Sequence, residues 1–234
     1  MQKVLSSLRK AVQTYNMIEN GDKIAVGVSG GKDSLILLES LVRLRNFIGF
    51  DYEIIALSVD AAFDGTPANF SKITEYCNKL GIVHHVIFTH IGEIVFDIRM
   101  EKSPCSLCAR MRRGALNNSA AELGCNKLAL GHNSDDAAET FIMNLFTEGR
   151  IGCFSPVTLL EDKNLTIIRP LILTPEKEIR KAVKTSNLPI LISNCPAAGH
   201  TNRQKTKELL TALEKNNHGV KSRIIGAIKR DIWV

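Results

Sequence analysis

The stretch VGVSGGKDS, at residues 26–34, combines residue types that bind the phosphates of a nucleotide. Glycines permit positive φ angles and a close backbone approach, so that the amides that follow can point at an anion. The small and hydroxyl-bearing members of the loop are Ser29, Gly30, Gly31 and Ser34. Lys32 adds a positive charge, but Asp33 follows it, where the common phosphate loop has a hydroxyl that holds magnesium. A carboxylate among phosphates indicates Mg²⁺, which bridges carboxylate and phosphate oxygens.

A second acidic stretch, GHNSDDAAE at residues 131–139, supports a site for a metal and a nucleotide. Two adjacent acids in the first turn of a helix could simply cap it and complement its dipole, and one of this pair can have that role. At the end of a neighbouring strand, however, Asp135 and Asp136 would face the same crevice as Asp33. We therefore predict that Lys32, Asp33 and Asp136 are catalytic and that Asp135 binds the cofactor.

The six cysteines indicate a second kind of chemistry. Cys105 and Cys108 form a C-x-x-C pair at a predicted helix start, which can bind zinc, form a redox pair or ligate an iron–sulfur cluster. The sequence has no second C-x-x-C, which argues against a complete Cys₄ zinc site. The third candidate ligand is Cys195, in the predicted turn SNCPAAGHTNRQ. Cys77 and Cys125 fall on apolar patterns, which are typical of core cysteines. Cys153 lies in a predicted loop and is a weaker candidate ligand.

Arg112, which we also predict to be catalytic, follows the C-x-x-C pair on the same helix. It could hold RNA phosphate or an adenylate, or belong to a solvated basic face.

Strand and helix patterns alternate along the chain, as in a parallel sheet that helices cover on both faces. Apolar runs predict strands at 23–28, 53–59, 83–88, 127–131 and 165–169. Helical patterns lie at 33–46, 67–80, 105–123, 134–147, 175–187, 203–217 and 219–230. We predict an α/β fold with a doubly wound, parallel, five-stranded sheet. We also predict a single domain of residues 1–234, with an added helix at 1–20, a core at 21–190, and a ligand loop and C-terminal helices at 191–234.

In such a sheet, ligands bind beyond the carboxyl ends of the strands, where the strand order reverses. SGGKDS stands at the end of the first predicted strand and opens the helix that follows. We therefore expect a nucleotide to lie across this end of the sheet. Its base is expected near the ends of the second and fourth strands, at Ser58, Val59, Asp60 and Gly131.

Composition narrows the class of protein further. With 234 residues, 44% of them hydrophobic, the chain can form a sizeable core. No apolar run approaches the ~20 residues that span a membrane, and the N-terminus lacks the apolar centre of a signal peptide. We expect a cytoplasmic protein without membrane association. The formal net charge of +6 is compatible with a polyanion such as RNA, although many soluble proteins are equally basic.

SGGKDS after a strand, with GHNSDDAAET further along, resembles the PP-loop ATP pyrophosphatases. This resemblance implies cleavage of ATP between the α and β phosphates and transfer of AMP to a carbonyl or carboxyl oxygen. PCSLCARMRRG, IRPL and the late cysteine narrow the likeness to the tRNA 2-thiocytidine synthetases, over about residues 20–217. The related 2-thiouridine synthetases share the same motifs and the same type of reaction.

The resemblance implies three cofactors, ATP, Mg²⁺ and a [4Fe-4S] cluster, and tRNA as the substrate. By motif matching, Cys105, Cys108 and Cys195 would hold the cluster and leave its fourth iron open to bind sulfide. The implied reaction adenylates the C2 carbonyl of a pyrimidine and replaces its oxygen with sulfur, from sulfide or a donor derived from a cysteine desulfurase. A homodimer is possible.

Three alternatives remain open at the level of the sequence. A lysidine synthetase or amide ligase of the same superfamily would need no cluster, and the C-x-x-C pair with Cys195 argues against it. A persulfide-based sulfurtransferase would use Cys108 and Cys195 and close a disulfide between them. A nucleotide-sensing module of the universal-stress type would hold ATP without turnover, whereas SGGKDS with Asp135 and Asp136 indicates turnover.

Overall fold

The computed structural model describes residues 1–100, 104–191, 194–197 and 202–233, with the backbone alone at Asp64. Parts of the predicted ligand loop, at 192–193 and 198–201, lie outside the described residues. Within these ranges the chain forms eight α-helices: α1 (Gln2–Thr14), α2 (Lys32–Arg45), α3 (Ser71–Lys79), α4 (Pro104–Glu122), α5 (Ser134–Glu148), α6 (Glu176–Thr185), α7 (Asn202–Asn216) and α8 (Val220–Asp231). The same ranges contain six strands: β1 (Lys23–Gly27), β2 (Glu53–Asp60), β3 (Val83–Phe88), β4 (Lys127–Ala129), β5 (Val157–Leu160) and β6 (Leu165–Ile168). A π-helix spans Glu93–Ile98.

The strands form one sheet in the order β3-β2-β1-β4-β6-β5. β1 pairs in parallel with both β2 and β4, and β6 pairs in parallel with β4. After β3 the chain returns to place β4 on the other side of β1, so the strand order reverses between β1 and β4. The loops that follow these two strands therefore border one crevice. The predicted α/β fold with a doubly wound sheet is confirmed.

The predicted number of five strands is wrong, because an edge strand was missed. β5 pairs antiparallel with β6 through a tight connection in which Asn164 has a φ of 46°. The run VTLL is only four residues long, and Leu159 within it is 58% exposed, so its apolar signal is weak. The segment VTLLEDKNLTII nevertheless has two short apolar runs around a polar turn, which is the pattern of a hairpin.

Helices cover both faces of the sheet. On one face, α1, α2, α6 and α8 enclose the larger core, to which α1 contributes Val4, Leu8, Ala11 and Val12. Trp233, after α8, packs edge-on against Tyr15, with the ring centroids 6.2 Å apart. On the other face, α4 packs through Leu116 and Ala120 on a smaller core that includes Leu57. This packing holds the first turn of α4, which carries the C-x-x-C pair, near the carboxyl ends of the strands.

None of the described helices is both long enough and apolar enough to cross a membrane.

Candidate active site

The loop after β1 ends in an open helix N-terminus. Gly31 precedes α2 in an extended conformation, and no side chain of the described residues caps this helix. The first-turn amides of α2 therefore lack a side-chain acceptor, and the positive end of the helix dipole is available to an anion. Ser34 braces the loop from within, because its hydroxyl donates to the Gly31 carbonyl at 2.9 Å and accepts from the Ser29 amide at 3.2 Å.

Two glycines are required where other backbone segments press on this loop. Gly30 has a φ of 81°, and a Cβ at this position would lie 2.6 Å from the Cβ of Leu191. The Leu191 amide donates to the Gly30 carbonyl at 3.0 Å, so the segment after α6 is tied to the loop. A Cβ at Gly131 would lie 3.1 Å from the backbone of Asp33. The residues after β4 therefore contact the loop directly.

Lys32 lies between two carboxylates. Its Nζ is 2.7 Å from Asp33 Oδ2 and 3.0 Å from Glu176 Oε1. Burial works to lower the pKa of Lys32, but the hydrogen bonds and charges of Asp33 and Glu176 raise it on balance above its ordinary value. Burial works to raise the pKa of Glu176, but Lys32 and Lys207 lower it to about 2. Lys32 is therefore positively charged, and the carboxylates of Asp33 and Glu176 compensate its charge.

α5, in contrast to α2, begins with a closed cap. Asn133 Oδ1 accepts from the amides of Asp135 and Asp136 at 2.9 and 3.1 Å, and Asp136 Oδ2 accepts from the Asn133 amide at 2.9 Å. Asn133 Nδ2 also donates to Asp33 Oδ1 at 3.2 Å, which links the two acidic stretches of the sequence. Burial raises the pKa of Asp136; Arg203 and the Asn133 amide lower it, and the nearby Asp33 raises it. Asp136 thus caps its helix and also interacts with Asp33.

Asp135 is directed towards other elements. Its Oδ2 accepts from the Glu176 amide at 2.7 Å, and its Oδ1 lies 2.8 Å from Lys221 Nζ. These contacts tie the start of α5 to α6 and α8.

α7 brings two cations to the acids of α5 and α6. Arg203 lies 3.0 Å from Asp136 Oδ1 and 3.2 Å from Glu139 Oε2, and Lys207 lies 3.0 Å from Glu176 Oε2. Glu139 is only 2% exposed, so its charge needs the cation beside it. These groups, with Lys32 and Asp33, surround a cavity of about 210 Å³, here called the acidic cavity.

A second cavity, of about 250 Å³, lies against the loop under α4 and is here called the apolar cavity. Much of its wall is aliphatic and comes from the strand ends and α4: Leu57, Val59, Leu116 and Leu130. Ser29, Asp33 and Arg112 also line it, together with Gly131. It thus occupies the place at the ends of β1, β2 and β4 where the sequence predicts a nucleotide base.

Two residues that were predicted near the base have side chains engaged elsewhere. The buried Ser58 hydroxyl donates to the Val28 carbonyl at 2.6 Å and lies 2.8 Å from His84 Nε2. The carboxylate of Asp60 accepts from the amides of Ala62 and Ala68, both at 2.9 Å. Of the three neighbours at the end of β2, Val59 lines the apolar cavity, and Asp60 organises the loop that follows.

His132 borders the apolar cavity as a neutral ring. Burial, together with the charges of Arg169, Arg203 and Arg113, lowers its pKa to about 3. The ring packs on Phe154 with centroids 4.9 Å apart, and the Arg169 guanidinium lies 5.1 Å from the same Phe154 centroid. His132 can therefore accept or donate a hydrogen bond near neutral pH without adding charge.

The three predicted cluster ligands are brought together. Cys105 and Cys108 are three residues apart at the start of α4, and hence on one side of the helix. Burial raises the pKa of Cys108; Arg112 lowers it, and the nearby Cys195 and Cys105 raise it. Cys108 therefore lies within electrostatic reach of both other thiols, although Cys195 is 87 positions later in the chain.

Three thiols are the donor set that an iron–sulfur cluster takes in proteins. Among the described residues, no three His, Cys, Asp or Glu side chains converge closely enough to hold one metal ion. All six cysteines are free thiols. Burial raises the pKa of Cys108 on balance, and the charge of Arg112 opposes this rise.

Sequence reasoning missed several charged and polar residues of this site: Asn133, Glu139, Glu176, Arg203 and Lys207. The only local signal was the spacing of Arg203 and Lys207, which are four residues apart and therefore lie on one face of a helix. That spacing does not reveal which acids the face meets.

A family model described as the PP-loop domain matches residues 2–197. Together with the doubly wound sheet and the open loop after β1, this match defines the class of protein, the PP-loop domain proteins. Over 230 residues the chain is 38% identical to the tRNA-cytidine(32) 2-sulfurtransferase of Geobacter sulfurreducens, covering 97% of this chain and 89% of the relative. It is 40% identical over 229 residues to the protein of the same name from Geotalea uraniireducens, covering 97% and 90%. The chain belongs to the family of the tRNA-cytidine(32) 2-sulfurtransferases.

A solved structure agrees with this assignment. The U34-tRNA thiolase NcsA from Methanococcus maripaludis, solved with its [4Fe-4S] cluster, superimposes with a TM-score of 0.79 at 28% identity. The alignment covers 97% of this chain and 78% of the thiolase.

Proposed function

We propose that this protein uses ATP to replace the C2 oxygen of a tRNA cytidine with sulfur. The observation that carries the proposal is the position of Arg112, which lines the apolar cavity beside the PP loop and lies close enough to Cys108 for its charge to oppose the rise in the pKa of that thiol. A phosphate-binding loop and a group of three thiols thus border one site. The names of the relatives support cytidine as the target base.

The first step is adenylation. The C2 carbonyl oxygen attacks the α-phosphorus of ATP and forms a new P–O bond, while the bond to the bridging oxygen breaks and pyrophosphate leaves with its electron pair. The open N-terminus of α2 and the hydroxyls of Ser29 and Ser34 hold the departing phosphates. Lys32 offsets the charge that develops on them, as a preorganised cation does in phosphoryl transfer.

Asp33 and Asp136 are the carboxylates that would hold Mg²⁺ at this end of the loop. Both border the acidic cavity, and Asn133 bonds to both. Their oxygens are the hard ligands that Mg²⁺ prefers. In the protein alone, Lys32 and Arg203 occupy some of these oxygens, so metal and phosphate binding would redistribute the ion pairs.

The second step is sulfur transfer. A sulfur nucleophile adds to C2, the C2–O bond breaks, and AMP leaves with the oxygen. Cys105, Cys108 and Cys195 would hold a [4Fe-4S] cluster, which when bound supplies that nucleophile. Sulfide, or a donor derived from a cysteine desulfurase, is the proposed source of sulfur. Arg112, which borders both the loop and the thiols, holds the phosphate of the adenylated base during the transfer.

We further propose that residues 1–234 act as one domain. α7 and α8 follow the part of the chain that the PP-loop model matches, yet Arg203, Lys207 and Lys221 pair with acids beside the loop. These two helices thus complete the charge balance of the site.

A persulfide route is the second candidate. The proximity of Cys108 and Cys195 is the observation in its favour. Once a desulfurase-derived donor has placed a persulfide on one thiol, the other thiolate attacks the inner sulfur, forms a disulfide and releases the outer sulfur as the sulfide that adds to C2. This route would need no iron and would leave a disulfide after each turnover.

An anaerobic assay tests the proposed function. Protein reconstituted with iron and sulfide is incubated with tRNA, ATP, Mg²⁺ and sulfide, and the digested nucleosides are analysed by mass spectrometry. We expect 2-thiocytidine, with a rate on the order of 10²–10³ lower for Lys32→Ala at unchanged iron content. Lys181→Ala, which alters an exposed lysine of α6, is the matched control.

Two results would contradict this proposal. Formation of 2-thiouridine alone would exclude cytidine as the target. Full activity of Lys32→Ala would remove the PP loop from the chemistry.

A further inference from the structure

We propose that the groove between the loop after β2, at residues 61–70, and the side chains of Ile190, Leu191 and Asn194 binds the pyrimidine nucleotide that is thiolated. This inference rests on the proposed function and adds the site of the RNA substrate. The groove, here called the loop groove, has a volume of about 740 Å³ and is the largest of the cavities described here. That volume lies within the ~300–1,000 Å³ typical of ligand sites.

The loop groove is continuous with the reaction site. Ser29, Val59 and Arg112 line both the loop groove and the apolar cavity, so the two spaces meet at the PP loop. Asn194 lines the far wall of the groove and precedes Cys195. A base seated here would have the loop on one side and the cysteines on another, as adenylation followed by sulfur transfer at one carbon requires.

The apolar cavity is the better place for adenine. At about 250 Å³ it is too small for two nucleotides, and the aliphatic side chains in its wall suit a purine ring. With adenine there and the phosphates on the loop, the loop groove, which Ser29 and Gly31 of the loop also line, leaves room for a second nucleotide beside the phosphates. The substrate base and ATP then approach the loop from different sides.

The near wall of the groove is preorganised. Asp60 is 2% exposed and accepts from the amides of Ala62 and Ala68, which fixes the loop at both ends. A Cβ at Gly92 would lie 2.8 Å from the carbonyl oxygens of Ala61 and Ala62, so the start of the π-helix packs directly on this loop. A rigid wall lowers the entropy cost of binding a flipped base.

The lining suits a single-stranded pyrimidine nucleotide. Phe63 offers an aromatic surface for stacking, and the polar side chains of Thr66 and Asn69 lie on the same wall. Lys72 and Arg112 also line the groove, and among the described residues no carboxylate pairs with either of them. Cations without a carboxylate partner beside a base pocket can bind the backbone phosphates on either side of the base.

Site-directed crosslinking tests this placement. The cytidine that the wild-type enzyme thiolates is identified first, and 5-iodocytidine is then placed at that position of the tRNA. Irradiation of the complex with the reconstituted enzyme should crosslink a peptide within residues 61–72. A crosslink to the segment that contains Leu116 or His132, or no crosslink at saturating tRNA, would overturn the inference.

The same outcome leaves the proposed function intact if the enzyme still makes 2-thiocytidine. Absence of any thiolated nucleoside would instead contradict the proposed function itself. The two failures are therefore distinguishable.

Salt dependence supplies a second test. Lys72→Ala should flatten the slope of log binding constant against log salt by about one unit, as for one lost phosphate contact. Lys79→Ala, on the same helix but paired with Glu75, should leave the slope unchanged. ATP affinity, measured by calorimetry, should be the same in both variants. Equal slopes for the two variants would overturn the role of Lys72.

Discussion

At the scale of single residues, charge compensation differs between the two sides of the PP loop. Lys32, Arg203 and Lys207 pair with carboxylates around the acidic cavity. Arg112, on the other side, has no carboxylate partner among the described residues. Negative ligands are therefore expected to bind on the side of Arg112, whereas metal binding is expected among the acids.

His132 provides a pH test of the buried part of the site. Its folded-state pKa of about 3 lies below the ordinary value of 6.5, so the unfolded chain binds a proton first as the pH falls. The stability that neutral His132 contributes is present above pH 6.5 and is lost as the pH falls from 6.5 towards 3. Between pH 7 and 5, we expect wild type to lose about 2 kcal/mol more unfolding free energy than His132→Gln.

Urea unfolding followed by the fluorescence of Trp233, the single tryptophan, measures this difference. His90→Gln, at a side chain that is 84% exposed, is the control and should keep the wild-type slope. Identical pH dependence of wild type and His132→Gln would show that the ring is solvated in the folded state.

At the scale of elements, two helix N-termini have opposite roles. α2 begins at Gly31 without a side-chain cap, whereas Asn133 and Asp136 close the start of α5. An uncapped N-terminus with a lysine and two hydroxyls attracts phosphate, while a closed one holds its neighbours in place. The functional difference between the loops after β1 and β4 therefore follows from their caps.

α7 is predicted to stabilise the acids of α5. Arg203→Ala should lower the unfolding free energy on the order of 2 kcal/mol, because Glu139 would lose its hydrogen-bonded cation while Lys207, 4.0 Å away, offsets part of the charge. Adding Glu139→Gln should restore part of the loss, because the buried charge is then gone. Lys205→Ala, at an exposed position of the same helix, should change little. Urea unfolding of the wild type and these three variants decides this; a double variant less stable than Arg203→Ala alone would contradict it.

At the scale of the whole molecule, the fold brings together cysteines from distant parts of the chain. Cys105→Ala, Cys108→Ala and Cys195→Ala should each lose most bound iron and all thiolation, because a cluster site needs all three thiolates. The control substitutions, expected to keep iron, are Cys77→Ala, Cys125→Ala and Cys153→Ala. Iron and sulfide are measured per chain after anaerobic reconstitution.

The same series separates the two candidate routes. A persulfide enzyme would tolerate Cys105→Ala and show no dependence on iron. A Cys195→Ala variant that kept both iron and turnover would exclude this residue as a ligand.

The sequence by itself determined the order of the elements and the chemistry of the loops. Helical and strand periodicities depend on neighbouring residues, so α2, α4 and α5 begin within one residue of their predicted starts. SGGKDS and the C-x-x-C pair could also be recognised from the sequence, because the residues of each motif lie together in one loop or one helical turn. The four-residue edge strand β5 was not predicted, because it forms by pairing with β6 and its own apolar pattern is weak.

Only the tertiary structure decided which distant groups meet. The proximity of Cys195 to Cys108, the pairing of Arg203 with Glu139 and the engagement of Asp60 with its own loop carry no periodic signal. Each depends on how helices and loops pack over the carboxyl ends of the strands. Charged groups and thiols that are far apart in sequence could meet in many different arrangements. The packing of the apolar core selects one of these arrangements.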